Sequence, residues 1–141
     1  MKRQSLYLLT MFVLAGIMIS ACAGGTSASL TGTWELVSYG SPASLTLAAP
    51  DVETSIIFDE GETIRGNVGC NDFGGDYKVD GDKITFGPIS STLMMCADTA
   101  IGDQETTVLN TLTETVTFVI AGDSLTLTSA DGSSVIVLAR K

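Results

Sequence analysis

Residues 66–77, Gly-Asn-Val-Gly-Cys-Asn-Asp-Phe-Gly-Gly-Asp-Tyr, hold four glycines, a cysteine, two asparagines and two aspartates within twelve positions. Such a stretch could carry a thiol nucleophile, a phosphate cradle or a cation site. A phosphate loop needs its glycines to open a helix, with Lys then Ser or Thr behind them. Here Lys78 is the first lysine to follow, and the residues after it alternate as a strand does. A cysteine nucleophile needs a base, usually histidine, and the chain contains no histidine. Asp72 and Asp76 would raise the pKa of a neighbouring thiol rather than lower it. Zinc calls for four Cys or His ligands. Calcium could draw on Asp72, Asp76, Asp80 and Asp82, but the spacing of a calcium loop is absent. No metal or other cofactor and no catalytic residue is therefore expected. The remaining reading is a tight β-corner. Gly69, Gly74 and Gly75 allow close chain approach there, and Asn71 can bond nearby backbone.

The elements around this corner read mostly as short strands. Trp34 and Leu36 alternate with Glu35 and Val37, Ile56 and Phe58 share a face, and Ile64, Gly66, Val68 and Cys70 oppose Arg65 and Asn67. Residues 76–86 form a hairpin, with Tyr77 and Val79 matched to Ile84 and Phe86 and a turn at Asp80-Gly81. Residues 90–96 read as another strand, with Leu93 and Met95 opposite Thr92, Met94 and Cys96. Three C-terminal strands follow, joined at Gly122-Asp123 and Asp131-Gly132. One segment breaks the two-residue period. Ile101, Val108, Leu109 and Leu112 fall on one helical face, giving a helix from about residue 100 to 113. Asp103 and Glu105 sit early in it, where carboxylates suit the helix dipole. Its apolar stripe must cover an open end or a gap in the sheet.

The expected fold is mainly β: a small antiparallel, barrel-like sheet of about eight or nine strands with one packed α-helix. A two-sheet sandwich with a helix at one edge is the rival. Residues 40–51 read as a long loop without regular structure, of the kind that inhibitors of exported enzymes present.

The first residues stand apart from this domain. Lys2 and Arg3 precede an apolar run from Leu6 to about Ile19, followed by small residues, the pattern of an export signal. An uncut N-terminal membrane anchor is the alternative. Ile19-Ser20-Ala21-Cys22 resembles the bacterial lipobox, which implies a diacylglycerol on Cys22 and cleavage before it. Ordinary cleavage near Ala21 would instead free a soluble protein. Acyl chains each contribute about 0.8 kcal/mol per buried CH₂, so two or three make a stable anchor. The division is then a lipoprotein signal over residues 1–21, a lipidated cysteine and tether over 22–29, and a domain over 30–141. Ala23 lacks the aspartate that retains many lipoproteins at an inner membrane, which points to the outer one.

The chain carries seven basic and sixteen acidic residues, a net charge of −9. Losing Lys2 and Arg3 with the signal takes it to −11. Such a polyanion repels nucleic acid and anionic headgroups, so membrane attachment falls to the lipid. Of three cysteines, Cys70 and Cys96 remain after Cys22 is acylated. In an oxidising compartment they favour one disulfide, worth on the order of 3–4 kcal/mol in the chain-entropy model. Two small buried thiols are the other possibility.

Gly69-Cys70-Asn71, then Gly75 and Tyr77, then Thr92-x-Met94-x-Cys96, then Glu105 with Leu109 and Leu112, resemble the META domain family of HslJ-like heat-shock proteins. Residues 30–40 also match its first strand, and the resemblance runs over about residues 30–139. Met95 departs from the alanine common at that place. The resemblance implies a small β-rich barrel-like fold with one packed helix, an envelope location, and links to stress or antibiotic tolerance in some members. It implies no established enzymatic activity and no ligand. Asn71, Thr92 and Glu105 are expected to satisfy buried backbone groups rather than touch a substrate.

Three functions follow as expectations. One is a non-enzymatic envelope lipoprotein that binds another envelope component or a misfolded or stress-related client. The second is a carrier of a small apolar ligand, with Met94, Met95 and Phe73 lining the barrel interior. The third is an inhibitor that acts through the loop at residues 40–51. An enzyme fares worst, because acid–base work near neutral pH usually recruits histidine.

Overall fold

The computed structural model describes residues 29–141. The signal, Cys22 and all of the tether but Ser29 lie outside the described residues. Ten strands and one helix follow in chain order: β1 (Gly32–Ser41), β2 (Ser44–Leu47), β3 (Ser55–Phe58), β4 (Thr63–Asn67), β5 (Asp72–Asp80), β6 (Lys83–Phe86), β7 (Ser90–Ser91), α1 (Thr99–Thr111), β8 (Thr115–Ala121), β9 (Ser124–Ser129) and β10 (Val135–Arg140). Eight strands close an antiparallel barrel in the order β1-β3-β4-β5-β6-β8-β9-β10, with β10 pairing back onto β1. Closure removes the free edges that a flat sheet of this size would expose. β2 and β7 are additions, paired among the described residues to β1 and β5 alone. The barrel, rather than the sandwich, is the fold. Among the described residues no helix is long and apolar enough to cross a membrane.

Local sequence sets the hairpins. Tyr77 pairs with Phe86 and Val79 with Ile84, and Asp80 faces Lys83. The two loop residues are therefore Gly81-Asp82, one position beyond the expected Asp80-Gly81. Gly81 and Gly122 each take a positive φ, +62° and +61°, at the first position of a two-residue turn, where glycine is unstrained. In β1 the register against β10 slips at Val37, between Leu36 and Ser38. Across the extra residue Leu36 and Tyr39, three apart, pair with the buried Leu138 and Ile136, and Ser38 between them is buried too.

The interior is filled by side chains from both walls. Trp34, Ile56, Phe58, Ile64, Leu127 and Leu138 are fully or almost fully buried. The strands also lock the start of the described chain to its end. Arg140 lies over the Trp34 ring at 4.1 Å and donates from Nη2 to the Ser29 carbonyl at 2.7 Å.

α1 closes the opposite end of the barrel. Val108 and Leu112 drop into the core with no exposure, worth roughly 1.5–3 kcal/mol each. Asp98 starts the helix, with an extended backbone and a side chain that accepts from the Ala100 N–H at 2.8 Å. The expected early carboxylates have other places: the first turn holds no acidic residue, and Glu105 is buried. At the far end the Leu112 N–H returns to the Val108 carbonyl and the Thr111 hydroxyl meets Ser134 at 2.8 Å, in the β9–β10 turn.

Two expectations fail. Residues 92–96 are not a strand, because pairing to β5 ends after Ser91. Residues 40–47 are not an irregular loop, and only 48–51 of the expected stretch lie outside strands and their turn. β1 and β2 form a hairpin across Pro42-Ala43, with Ser41 facing Ser44 and Tyr39 facing Thr46.

Candidate functional site

The corner after β4 sits beneath the first half of α1, and two polar helix residues hold it. Gln104 is fully buried. Its Nε2 donates to the Val68 carbonyl at 2.7 Å, and its Oε1 accepts from the Ala49 N–H at 2.8 Å. One side chain thus ties the helix to both the β4–β5 and the β2–β3 connections. Glu105 lies one residue on. Its Oε2 accepts from the backbone N–H groups of Cys70 and Asn71 at 2.8 and 2.6 Å, and its Oε1 accepts from Asn71 Nδ2 at 2.7 Å. Gly69 makes this approach possible. A Cβ there would stand 2.6 Å from Glu105 Cβ and 2.7 Å from its Oε2, far inside contact distance.

Asn71 passes the arrangement on to residues 92–96. Its Nδ2 donates a second time, to the Met94 carbonyl at 3.1 Å. Its Oδ1 accepts from the Met94 N–H at 2.7 Å and from Thr92 Oγ1 at 2.9 Å. Thr92 Oγ1 in turn accepts from the Asp72 N–H at 3.1 Å. All four hydrogen-bonding positions of the Asn71 amide are filled. An asparagine side chain therefore does for Met94 what a neighbouring strand would do. Beyond it the Cys70–Cys96 disulfide closes the segment, with Cα atoms 5.8 Å apart, within the usual range for such a bridge.

The consequence is an exposed apolar loop on a fixed base. Leu93 is 95% exposed, Met94 63% and Met95 96%. Met94 and Met95 therefore do not line the barrel, although Phe73 is buried in the core. Their thioethers face outward because Asn71 holds the Met94 backbone at the barrel rim.

Gly75 and Tyr77 belong elsewhere. Gly75 lets Pro88 and Ile89 cross β5, since a Cβ would lie 2.8 Å from both Ile89 Cδ1 and the Pro88 carbonyl. Tyr77 packs edge-on against Phe58, with ring centroids 5.2 Å apart, and its hydroxyl donates to the Asp59 carbonyl at 2.9 Å. Burial first, and then the charges of Asp59 and Glu62, push its pKa above the ordinary tyrosine value.

Chemically the corner is saturated. Cys70, Cys96 and Glu105 bring ligand-type atoms within 4.8 Å of one another. Both sulfurs are spent on the disulfide and both carboxylate oxygens on N–H donors. No buried side-chain nitrogen or oxygen among the described residues lacks a partner. Sequence reasoning did not single out Gln104, yet a signal existed. The apolar stripe passes from Ile101 straight to Val108, and the core-facing positions between them are 104 and 105.

Three solved structures share this architecture. One is an NMR structure of a protein from Burkholderia xenovorans, with a TM-score of 0.65 and 20% identity over 78% of this chain and 81% of that one. A second NMR structure gives 0.61 and 22%, covering 77% and 88% of the two chains. A crystal structure of a DUF4847 family protein from Bacteroides vulgatus gives 0.57 and 14%, covering 79% and 93%. At these identities the likeness is one of fold. No curated protein matches the chain. Residues 28–141 match the META domain, a span that takes in the corner, its clamp and the whole barrel, and the chain belongs to the META domain family.

Proposed function

We propose that this protein is a non-enzymatic, HslJ-like lipoprotein of the cell envelope that binds a protein partner through the loop Leu93-Met94-Met95. The exposure of those three consecutive large apolar side chains carries the reading. A loop free to move could fold such residues back onto the surface. This one is held outward by Asn71 and the disulfide, so its apolar area is available to a partner. Burying each side chain would contribute about 1.5–3 kcal/mol. Methionine suits a contact that must adapt to its counterpart. The lipid on Cys22 would hold the protein at the membrane, on the periplasmic face or the cell surface. The family resemblance suggests stress or antibiotic tolerance as the setting.

Two features support a role without catalysis. The one polar constellation of the corner uses all its acceptors on backbone and amide groups, and the chain has no histidine. The carrier reading has less support. Core side chains fill the barrel, and the grooves of about 230–270 Å³ lie at its surface, below the roughly 300 Å³ where ligand sites begin.

The test places a photo-crosslinking residue at position 93 or 95 in the full chain, with position 80 at the β5–β6 turn as control. A discrete crosslinked envelope protein at 93 and 95, absent at 80 and lost in Leu93→Ser/Met95→Ser, is the expected result. Identical products at all three positions would refute the loop's role. The lipid anchor is tested separately: a fatty-acid probe should label the wild type and not Cys22→Ala.

A further inference from the structure

A second surface of the same end is built differently. β2 pairs with β1 on one side alone among the described residues. Hydrogen-bonded positions alternate along an antiparallel pair. The Ala48 N–H reaches the Val37 carbonyl at 2.9 Å, so Ala48, Thr46 and Ser44 face β1 with their backbone groups. The N–H and C=O of Leu45 and Leu47 then point outward. All four residues of β2 are exposed, Leu45 by 43% and Leu47 by 76%. A free, apolar, uncharged edge is what sheet proteins ordinarily blunt.

This edge borders a groove of about 230 Å³ against the start of α1. Leu47, Ala49, Pro50 and Ile101 give it apolar walls, and Asp51 and Asp98 stand on its rim. Tyr39, which lines the same groove, has its pKa raised by burial first and then by the charge of Asp103. No lysine or arginine lines it. Of the five basic residues described, Arg140 is held over Trp34 and Lys141 on Glu53. Unpaired strand groups call for another strand, apolar walls for apolar side chains, and an acidic rim for positive charge.

We propose that this groove binds an extended, cationic polypeptide segment of another protein, which adds to β2 as a further strand. Its backbone would pair with Leu45 and Leu47, an apolar side chain would rest between Leu47 and Ile101, and Lys or Arg would face Asp51 and Asp98. This surface is separate from the Leu93–Met95 loop, and the inference stands whether or not that loop binds.

The experiment uses the full chain, ¹⁵N-labelled, and a fluorescent decapeptide of alternating Lys and Val. Anisotropy should show saturable binding, and amide shifts should concentrate at residues 45–49 and 100–101. An alternating Glu and Val peptide should bind at least tenfold more weakly, as should the Lys peptide in 0.5 M salt. Leu45→Pro removes an outward N–H without removing a bond to β1, and should weaken binding about tenfold. Asp51→Asn/Asp98→Asn keeps a capping side chain at 98 and should weaken it about fivefold, which covers the case in which the proline variant misfolds. Leu93→Ser/Met95→Ser should bind the peptide unchanged. Three results would overturn the proposal: equal binding of the acidic peptide, shifts centred on residues 93–95, or no binding at all. Self-association lost in Leu45→Pro would overturn it in favour of a second copy of this chain.

Discussion

Glu105→Ala is the sharpest probe of the corner. The carboxylate accepts from three donors, the N–H groups of Cys70 and Asn71 and the amide of Asn71, at 2.6–2.8 Å. Alanine leaves all three without an acceptor, in a place where Glu105 is only 8% exposed. An unsatisfied buried donor costs about 1–3 kcal/mol. The three share one carboxylate and do not add fully, so the expected loss is about 3–5 kcal/mol. Glu105→Gln keeps one oxygen and sets an NH₂ against a donor of either the backbone or Asn71. Asn71 cannot turn over to help, because its Oδ1 already serves Met94 and Thr92. The glutamine variant should lose about 1–3 kcal/mol by the same measure. Urea unfolding of oxidised protein gives both values, and a cycle with Asn71→Ala should return a coupling of at least about 1 kcal/mol. Hydrogen exchange adds a local readout, with the amides of Cys70, Asn71 and Met94 losing protection first. A loss below about 0.5 kcal/mol in Glu105→Ala, with those amides still protected, would refute the view that Glu105 holds the corner.

Other outcomes follow from neighbouring features. Cys70→Ser and Cys96→Ser should destabilise the oxidised protein about equally, by about 2–5 kcal/mol, and thiol titration of the wild type should find neither cysteine of the pair free. Gly69→Ala should lose about 1–3 kcal/mol through overpacking against Glu105, whereas Gly74→Ala, whose Cβ meets nothing closer than 3.5 Å, should melt within a few degrees of wild type. The Asp131 carboxyl is held down to a pKa of about 2, by the Ser133 N–H first and then by the Ser129 and Ser133 hydroxyls. A depressed folded-state pKa contributes stability above the unfolded value near 3.9 and loses it as pH falls toward 2, so the melting gap between wild type and Asp131→Ala should narrow from pH 5 to pH 2.

Much of the fold was legible because it is local. Two-residue alternation marks a strand wherever one face is buried. Glycine at a turn that needs positive φ, as at Gly81 and Gly122, marks the hairpins. The 3.6-residue stripe of Ile101, Val108 and Leu112 marks α1, and its place over a barrel end follows from having an apolar face to cover. The motif residues Gly69, Asn71, Thr92 and Glu105 were also visible as a set, through a family resemblance rather than through their spacing.

What the tertiary structure decided concerns partners distant in the chain. Residues 92–96 alternate like a strand, but a strand exists only beside another, and pairing to β5 stops at Ser91. The Asn71 side chain takes up the Met94 backbone instead and leaves Leu93 and Met95 in solvent. β2 was hidden for the converse reason: a four-residue segment with both faces exposed has no burial pattern to read, and only its bonds to β1 make it a strand. Gln104 and Glu105 look like surface residues by type. They are buried because α1 lies across the rim where the Ala49, Cys70 and Asn71 N–H groups and the Val68 carbonyl need partners. Periodicity reports which face of an element is covered, whereas the groups that cover it are fixed only when the barrel closes.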